Sequence, residues 1–180
     1  MKAAYQGQPG AFGHEACLTF LPGFEPVAKP SFAEVIEAVE TGEADHGILP
    51  VENSAAGPVP GMAALLDASP LAVLARHSLP VRMHLLGLPG SRIDDLVRVA
   101  SHPVALAQSA RALAELGLRT EEATNTAVAA MALRDSKDPT RAVLASEPAA
   151  AIYGLTILQR DVHDQPDNAT SFCVLARKPA

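Results

Sequence analysis

Near its C-terminus the chain reads PDNATSFCVLA, Pro166 to Ala176. An amide and two hydroxyls (Asn168, Thr170, Ser171) stand against an apolar run that begins at Phe172. A polar triplet leading into an apolar strand is either a turn or the rim of a site. Three other junctions share this make-up. Glu52, Asn53 and Ser54 follow an apolar run in GILPVENSAAG, Ser101 and His102 do so in VASHP, and Thr124, Asn125 and Thr126 open a helical pattern in TNTA. In open α/β sheets, ligands lie outside the carboxyl ends of the strands. Each junction alone is ordinary helix-cap chemistry. Taken together, the four are consistent with a donor-lined cleft for an anion. The glycine-rich GQPGAFG turn opens a helix, and its backbone N–H groups also suit an anion or simply make a tight turn. It fits neither GxxxxGK[ST] nor GxGxxG, which leaves a nucleotide reading weak.

Other chemistries find less support. The six histidines (His14, His46, His77, His84, His102, His163) form no i, i+4 pair and no HExxH pattern, so no metal site is predicted. Cys17 and Cys173 lie far apart with no CxxC pair and are predicted to be buried apolar residues. A formal charge of −6 supplies no basic stripe for nucleic acid, and any anionic ligand must be met by local donors. The N-terminal MKAAYQGQPG has no continuous apolar segment. The expectation is a cytoplasmic protein with no secretory signal and no membrane partner.

These residues must be positioned by a core that the composition allows. The 180 residues are 48% hydrophobic and 19% charged, enough for one compact domain or two small lobes. With 4% aromatics and no Trp, the core is predicted to be aliphatic. KAAYQG reads as a first strand, followed by a helix over about 14–20. SFAEVIEAVETG is a helix with Ser31 and Glu34 as a capping box and Gly42 as its stop. ADHGILPVENS reads as a strand ended by Pro50, and GMAALLDA as a helix. LAVLARHSLPVRMHLLGLPG is extended with a break near Pro80. A strand in LVRVASHP leads into one helix, VALAQSARALAELG, with Pro103 in its first turn. TEEATNTAVAAMALRD supplies a further helix capped by Asn125 or Thr124. RAVLAS, EPAAAIYG, LTILQRDV and SFCVLAR then read as strand, helix, strand and strand. Alternating strands and helices favour a mostly parallel sheet covered on both faces. The last strand is expected to return to the first lobe, giving lobe 1 over about 1–76 plus 168–180 and lobe 2 over about 77–167.

The segments YQGQPGAFGHEA, GILPVENSAAGPV, SHPVALAQSARAL, NTAVAA, LASEPAAAIYGL and DNATSFCVLA together resemble the catalytic domain of prephenate dehydratases, over nearly the whole chain. The resemblance implies two α/β lobes like those of periplasmic binding proteins, an active site in the cleft between them, a homodimer or homotetramer, and no cofactor. It implies conversion of prephenate to phenylpyruvate with loss of water and CO2. The family's Asn-x-Thr-Arg-Phe motif maps its catalytic threonine onto Thr170 and its Arg onto Ser171. Thr170 is therefore the candidate catalytic donor, with His102 and Glu52 as candidate terminal acids. Asn53, Ser54, Ser101, Thr126, Ala11, Phe12, Asn168, Ser171 and Phe172 are the candidate substrate-binding residues. Ala11, Gly13, Val104 and Ser109 also depart from the family's usual residues, and the phenylalanine-sensing ACT domain that usually follows is expected to be missing. Two rival readings are a non-aromatising prephenate decarboxylase and a non-catalytic module that binds small anions.

Overall fold

The short buried run Ala3-Ala4-Tyr5 near the N-terminus forms β1 (Lys2–Gln6) in a computed structural model that describes residues 1–178. It is followed by α1 (Phe12–Phe20), β2 (Glu25–Lys29), α2 (Phe32–Glu40), β3 (His46–Asn53), the short β4 (Gly57–Pro58), α3 (Met62–Ala68) and β5 (Ala72–Pro80). The α2 capping box is present. Ser31 Oγ accepts from the Glu34 N–H at 3.3 Å and donates to Glu34 Oε1 at 3.0 Å.

The chain continues through β6 (His84–Gly87), β7 (Arg98–Ser101), α4 (Pro103–Ala107), α5 (Ala110–Glu115) and β8 (Arg119–Glu122). Then come α6 (Thr126–Ser136), β9 (Arg141–Ala145), α7 (Glu147–Tyr153) and β10 (Thr156–Gln159), before the last strand, β11 (Ala169–Ala176). Two compact units result. One holds Met1–Gln8, Phe12–Pro80 and the segment beginning at Asp167; the other holds Pro9–Ala11 and Val81–Pro166. The crossing expected near residue 76 falls at Pro80–Val81, because β5 stays paired with β11 up to Pro80.

In the first unit the strand order is β2-β1-β3-β11-β5, with β4 on β3. The helix-linked trio β2, β1 and β3 is parallel, whereas β11 runs antiparallel to both β3 and β5. In the second unit the order is β10-β6-β9-β7-β8, parallel in β9-β7-β8 and antiparallel in β10-β6-β9. The two α/β lobes are there, but each sheet is mixed rather than mostly parallel. A parallel neighbour needs a crossover connection, and β11 enters its sheet without a crossover helix.

Three local expectations need correction. Pro50 does not end its strand, since β3 continues to Asn53. The neighbour β1 pairs with β3 only as far as Ile48, and the register with β11 slips just after Pro50, so its missing N–H sits at an irregular stretch. The helix after SHP is broken into α4 and α5 at Gln108–Ser109. The Asp164 carboxylate caps the second piece, accepting from the N–H groups of Arg111 at 3.0 Å and Ala112 at 3.3 Å, while the Asp164 N–H donates to Gln108 O at 2.7 Å. No strand was expected just before the Asn125-capped helix, yet Arg119–Glu122 forms β8, parallel to β7, and α6 then starts at Thr126 behind its Asn125 cap.

Successive residues of β11 feed two apolar layers. Phe172 and Val174 pack with Tyr5, Ile48 and Leu79, while Cys173 and Leu175 pack with Val35, Val39, Leu49 and Met62. Burial pushes the Cys17 thiol up to about 12 and raises Cys173 as well, so both behave as small apolar residues. The glycine-rich turn is held in the second unit. Tyr153 Oη donates to Pro9 O and Ser146 Oγ to Gly10 O, each at 2.7 Å. Gly10 has φ +87°, and a Cβ there would lie 2.9 Å from Ala149 Cα, so only glycine fits.

Candidate functional site

The end of β3 and the start of β11 build one polar cluster from two distant stretches of sequence. Asn53 Nδ2 donates to Asn168 Oδ1 at 2.9 Å, to Thr170 Oγ1 at 3.0 Å and to Ala169 O at 3.3 Å. On its other edge, Asn53 Oδ1 accepts from the N–H groups of Ala55 at 3.0 Å and Ala56 at 2.9 Å, an Asx-type turn. Ser54 ties the same two segments together. Its N–H donates to Ala169 O at 2.9 Å, and its Oγ accepts from the Ala169 N–H at 2.9 Å. Asn168 is 3% exposed, so its side-chain carbonyl lies among these donors rather than in water. Thr170 is half-buried.

A one-residue irregularity decides which side chain meets Thr170. Phe172 pairs with Pro50, but Ser171 pairs with Glu52 and Thr170 with Asn53, so Val51 is an extra residue on β3. Without that slip, the register would set Glu52 opposite Thr170. With it, the amide faces the hydroxyl, and Glu52 leaves β3 on the other face beside Ser171. Glu52, a candidate acid from the sequence, therefore faces away from the Thr170 hydroxyl.

The same alternation corrects two more expectations. Pairing of β11 with β5 is regular from Ala169 to Val174, so Thr170 and Phe172 share one face and Ser171 points to the opposite one. Ser171 does not share a face with Thr170; its cross-strand neighbours are Glu52 and Ser78. A guanidinium at this position would lie next to the Glu52 carboxylate. Ser171→Arg is accordingly expected to leave kcat/KM unchanged and to add at most about 1 kcal/mol of stability through an exposed ion pair. Steady-state kinetics and a denaturant melt check this, and a large gain in activity would restore position 171 to the site. Phe172, 1% exposed, belongs to the core and not to a binding surface.

Phe12 opens α1 and packs half-buried against the same core layer as Phe172. Ser54 serves as a staple within the cluster. The remaining candidates lie in the second unit. Ala11 is buried among α6 and α7 side chains. Ser101 is fully buried and its hydroxyl donates to Leu144 O at 2.7 Å, so its proton holds β7 to β9 and is withdrawn from ligand binding. His102 caps α4, its Nδ1 accepting from the Val104 N–H at 3.2 Å, which puts the proton of the neutral ring on Nε2. Thr126 is the first residue of α6, buried behind Asn125, whose Oδ1 accepts from the Val128 N–H at 2.8 Å. Sequence reasoning missed the backbone N–H groups of Ala55 and Ala56; the N-S-A-A order after β3 was the available signal for an Asx turn.

Among the described residues no three His, Cys, Asp or Glu side chains gather closely enough to hold a metal ion, and no helix is long and apolar enough to cross a membrane.

The family model described as prephenate dehydratase matches residues 3–180. A bifunctional N-acyl-homoserine lactone acylase/prephenate dehydratase of Komagataeibacter europaeus is 40% identical over 177 residues, covering 98% of this chain and 63% of that protein. Arogenate dehydratase/prephenate dehydratase 2, chloroplastic, of Arabidopsis thaliana is 41% identical over 179 residues, covering 99% of this chain and 47% of that protein. The chain thus spans less than two thirds of the length of either relative. Among solved structures, a prephenate dehydratase from Arthrobacter aurescens in complex with L-Phe matches all of this chain and 61% of its own, with a TM-score of 0.90 and 28% identity. A structure described as GqqA, a novel type of quorum quenching acylase, matches all of this chain and 65% of its own, with a TM-score of 0.93 and 39% identity.

Proposed function

The chain belongs to the prephenate dehydratase family, and from that premise we propose that it converts prephenate to phenylpyruvate, water and CO2, a step of L-phenylalanine biosynthesis. The observation that carries this reading is the convergence of Asn53, Asn168 and Thr170, from two motifs of the family, in one hydrogen-bonded cluster.

Prephenate bears a carboxylate on one ring carbon and a hydroxyl on the carbon opposite. When the C–CO2 bond breaks, its electron pair enters the ring, the ring becomes aromatic and the C–OH bond is expelled as hydroxide. The hydroxide then takes a proton, ultimately from solvent, and becomes water. Aromatisation supplies the driving force, so the protein's task is to stabilise charge on the departing oxygen as that charge develops. Thr170 Oγ–H is assigned that role. An alcohol donates such a hydrogen bond without giving up its proton at neutral pH, which makes Thr170 a polarising donor rather than a full acid.

Relatives 37–41% identical to this chain are named for both arogenate and prephenate. Arogenate carries an amino group where prephenate has a keto group, and its ring chemistry is the same. Purified protein is to be incubated with each compound in turn and the product identified. Phenylpyruvate from prephenate supports the reading. Phenylalanine from arogenate alone moves the substrate but keeps the chemistry. A non-aromatic keto acid means decarboxylation without loss of the hydroxyl, and two unchanged substrates overturn the dehydratase reading.

A further inference from the structure

We infer that Asn53 is a positioning residue that fixes the direction of the Thr170 hydroxyl proton, making that hydroxyl a one-way donor toward the leaving oxygen. This role rests on the dehydratase reading above and adds to it a residue and a proton direction.

The two ends of a carboxamide have the same outline, but at Asn53 their orientation is forced. One edge meets the backbone N–H groups of Ala55 at 3.0 Å and Ala56 at 2.9 Å, which can only donate, so that edge is Oδ1. The other edge meets Ala169 O at 3.3 Å, which can only accept, so that edge is Nδ2. Its two protons go first to the nearer acceptors, Asn168 Oδ1 at 2.9 Å and Thr170 Oγ1 at 3.0 Å. Thr170 Oγ therefore receives a hydrogen bond and keeps its own proton, and among the described residues no acceptor takes that proton.

A hydroxyl is normally a rotor that can donate or accept. Receiving from Asn53 removes one choice and polarises the O–H bond, because hydrogen bonds in a chain strengthen one another. A donor oriented before the charge appears needs no reorganisation when the C–OH bond breaks. The carboxamide is itself held at both edges, so it is rigid enough to impose this orientation.

Asn53→Asp tests the direction of the bond. The aspartate keeps the shape and one oxygen for the Ala55 and Ala56 N–H groups, but its ionised second oxygen can only accept. It then takes the Thr170 proton and reverses the bond. Two other carboxylates lie near this position: Glu52, on the opposite face of β3, and Asp167, exposed before β11. At neutral pH kcat is expected to fall at least about 10²-fold, the cost of losing one aimed donor, with KM nearly unchanged. As the pH drops and the carboxyl is protonated it can donate again, so kcat of the variant climbs back while wild type shows no such rise. A loss that does not change with pH overturns the role. If wild type itself fails to act on either substrate, the dehydratase reading fails instead, so the two failures are told apart. Should the variant not fold, neutron diffraction from deuterated wild-type crystals decides. A Thr170 deuteron pointing away from Asn53 Nδ2 supports the role, and one directed at Asn53 or Ala169 O overturns it.

Discussion

Thr170→Val is expected to lower kcat by about 10²- to 10⁴-fold, the range for a positioned proton-donating group, and to leave the protein folded. Valine has nearly the shape of threonine, and β-branched residues suit a strand, so β11 keeps its geometry. The hydrogen bond lost is the one Thr170 accepts from Asn53. Asn53 Nδ2 retains Asn168 Oδ1 and Ala169 O as acceptors, so no buried donor is stranded and the stability cost is about 1 kcal/mol. KM should change little, because the missing interaction grows only as the C–OH bond breaks. Thr170→Ser keeps the hydroxyl and should recover part of the rate. Single-turnover kinetics on prephenate, with a melting curve for each variant, checks both statements. A Val variant as fast as wild type would take Thr170 out of the chemistry.

The parts of the site were legible in the sequence, but their pairing was not. VENS and NATS read as polar stretches beside apolar strands, and Thr170 could be singled out from its motif. What could not be read was which side chain Thr170 meets, because Asn53 is 117 residues away and the answer depends on a single extra residue in β3. In an antiparallel pair a one-residue slip swaps every partner and every face. Val51 carries no signal for a bulge, so Glu52 looked as good a partner as Asn53. The fate of Ser171 was closer to hand. Strand alternation sends neighbours to opposite faces, but a motif read as one contiguous word hides that alternation.

The fold followed a similar rule. Local signals such as the Ser31 cap, Pro103 in the first turn of α4 and Gly154 after α7 are where the sequence placed them. The break between α4 and α5 depends on Asp164, remote in sequence, whose carboxylate offers the helix a new start. No propensity within VALAQSARALAELG announces it. The short β8 was hidden because its charged residues have low strand propensity, and only its place beside β7 makes them a strand edge.

Phe172 separates a core residue from a ligand contact most sharply. It is 1% exposed and packs among Tyr5, Ile48, Leu79 and Val174. Phe172→Ala removes a ring whose loss typically costs about 3–5 kcal/mol, through lost transfer energy and the cavity left behind. In a chain of this length each kcal/mol lowers Tm by about 2–4 °C, so the midpoint should fall by roughly 10 °C. Phe172→Leu fills most of the volume and should recover much of that loss. KM for prephenate is expected to stay at the wild-type value in both variants wherever they remain folded, since the ring turns into the layer beneath α1. A substrate contact would behave the other way, with KM rising and Tm hardly moving. The two residues share a face of β11, so the ring also anchors the strand that carries Thr170. Any fall in kcat of the Ala variant should therefore deepen with temperature as β11 loosens, and a fall that is the same at every temperature would mean Phe172 acts on the substrate after all.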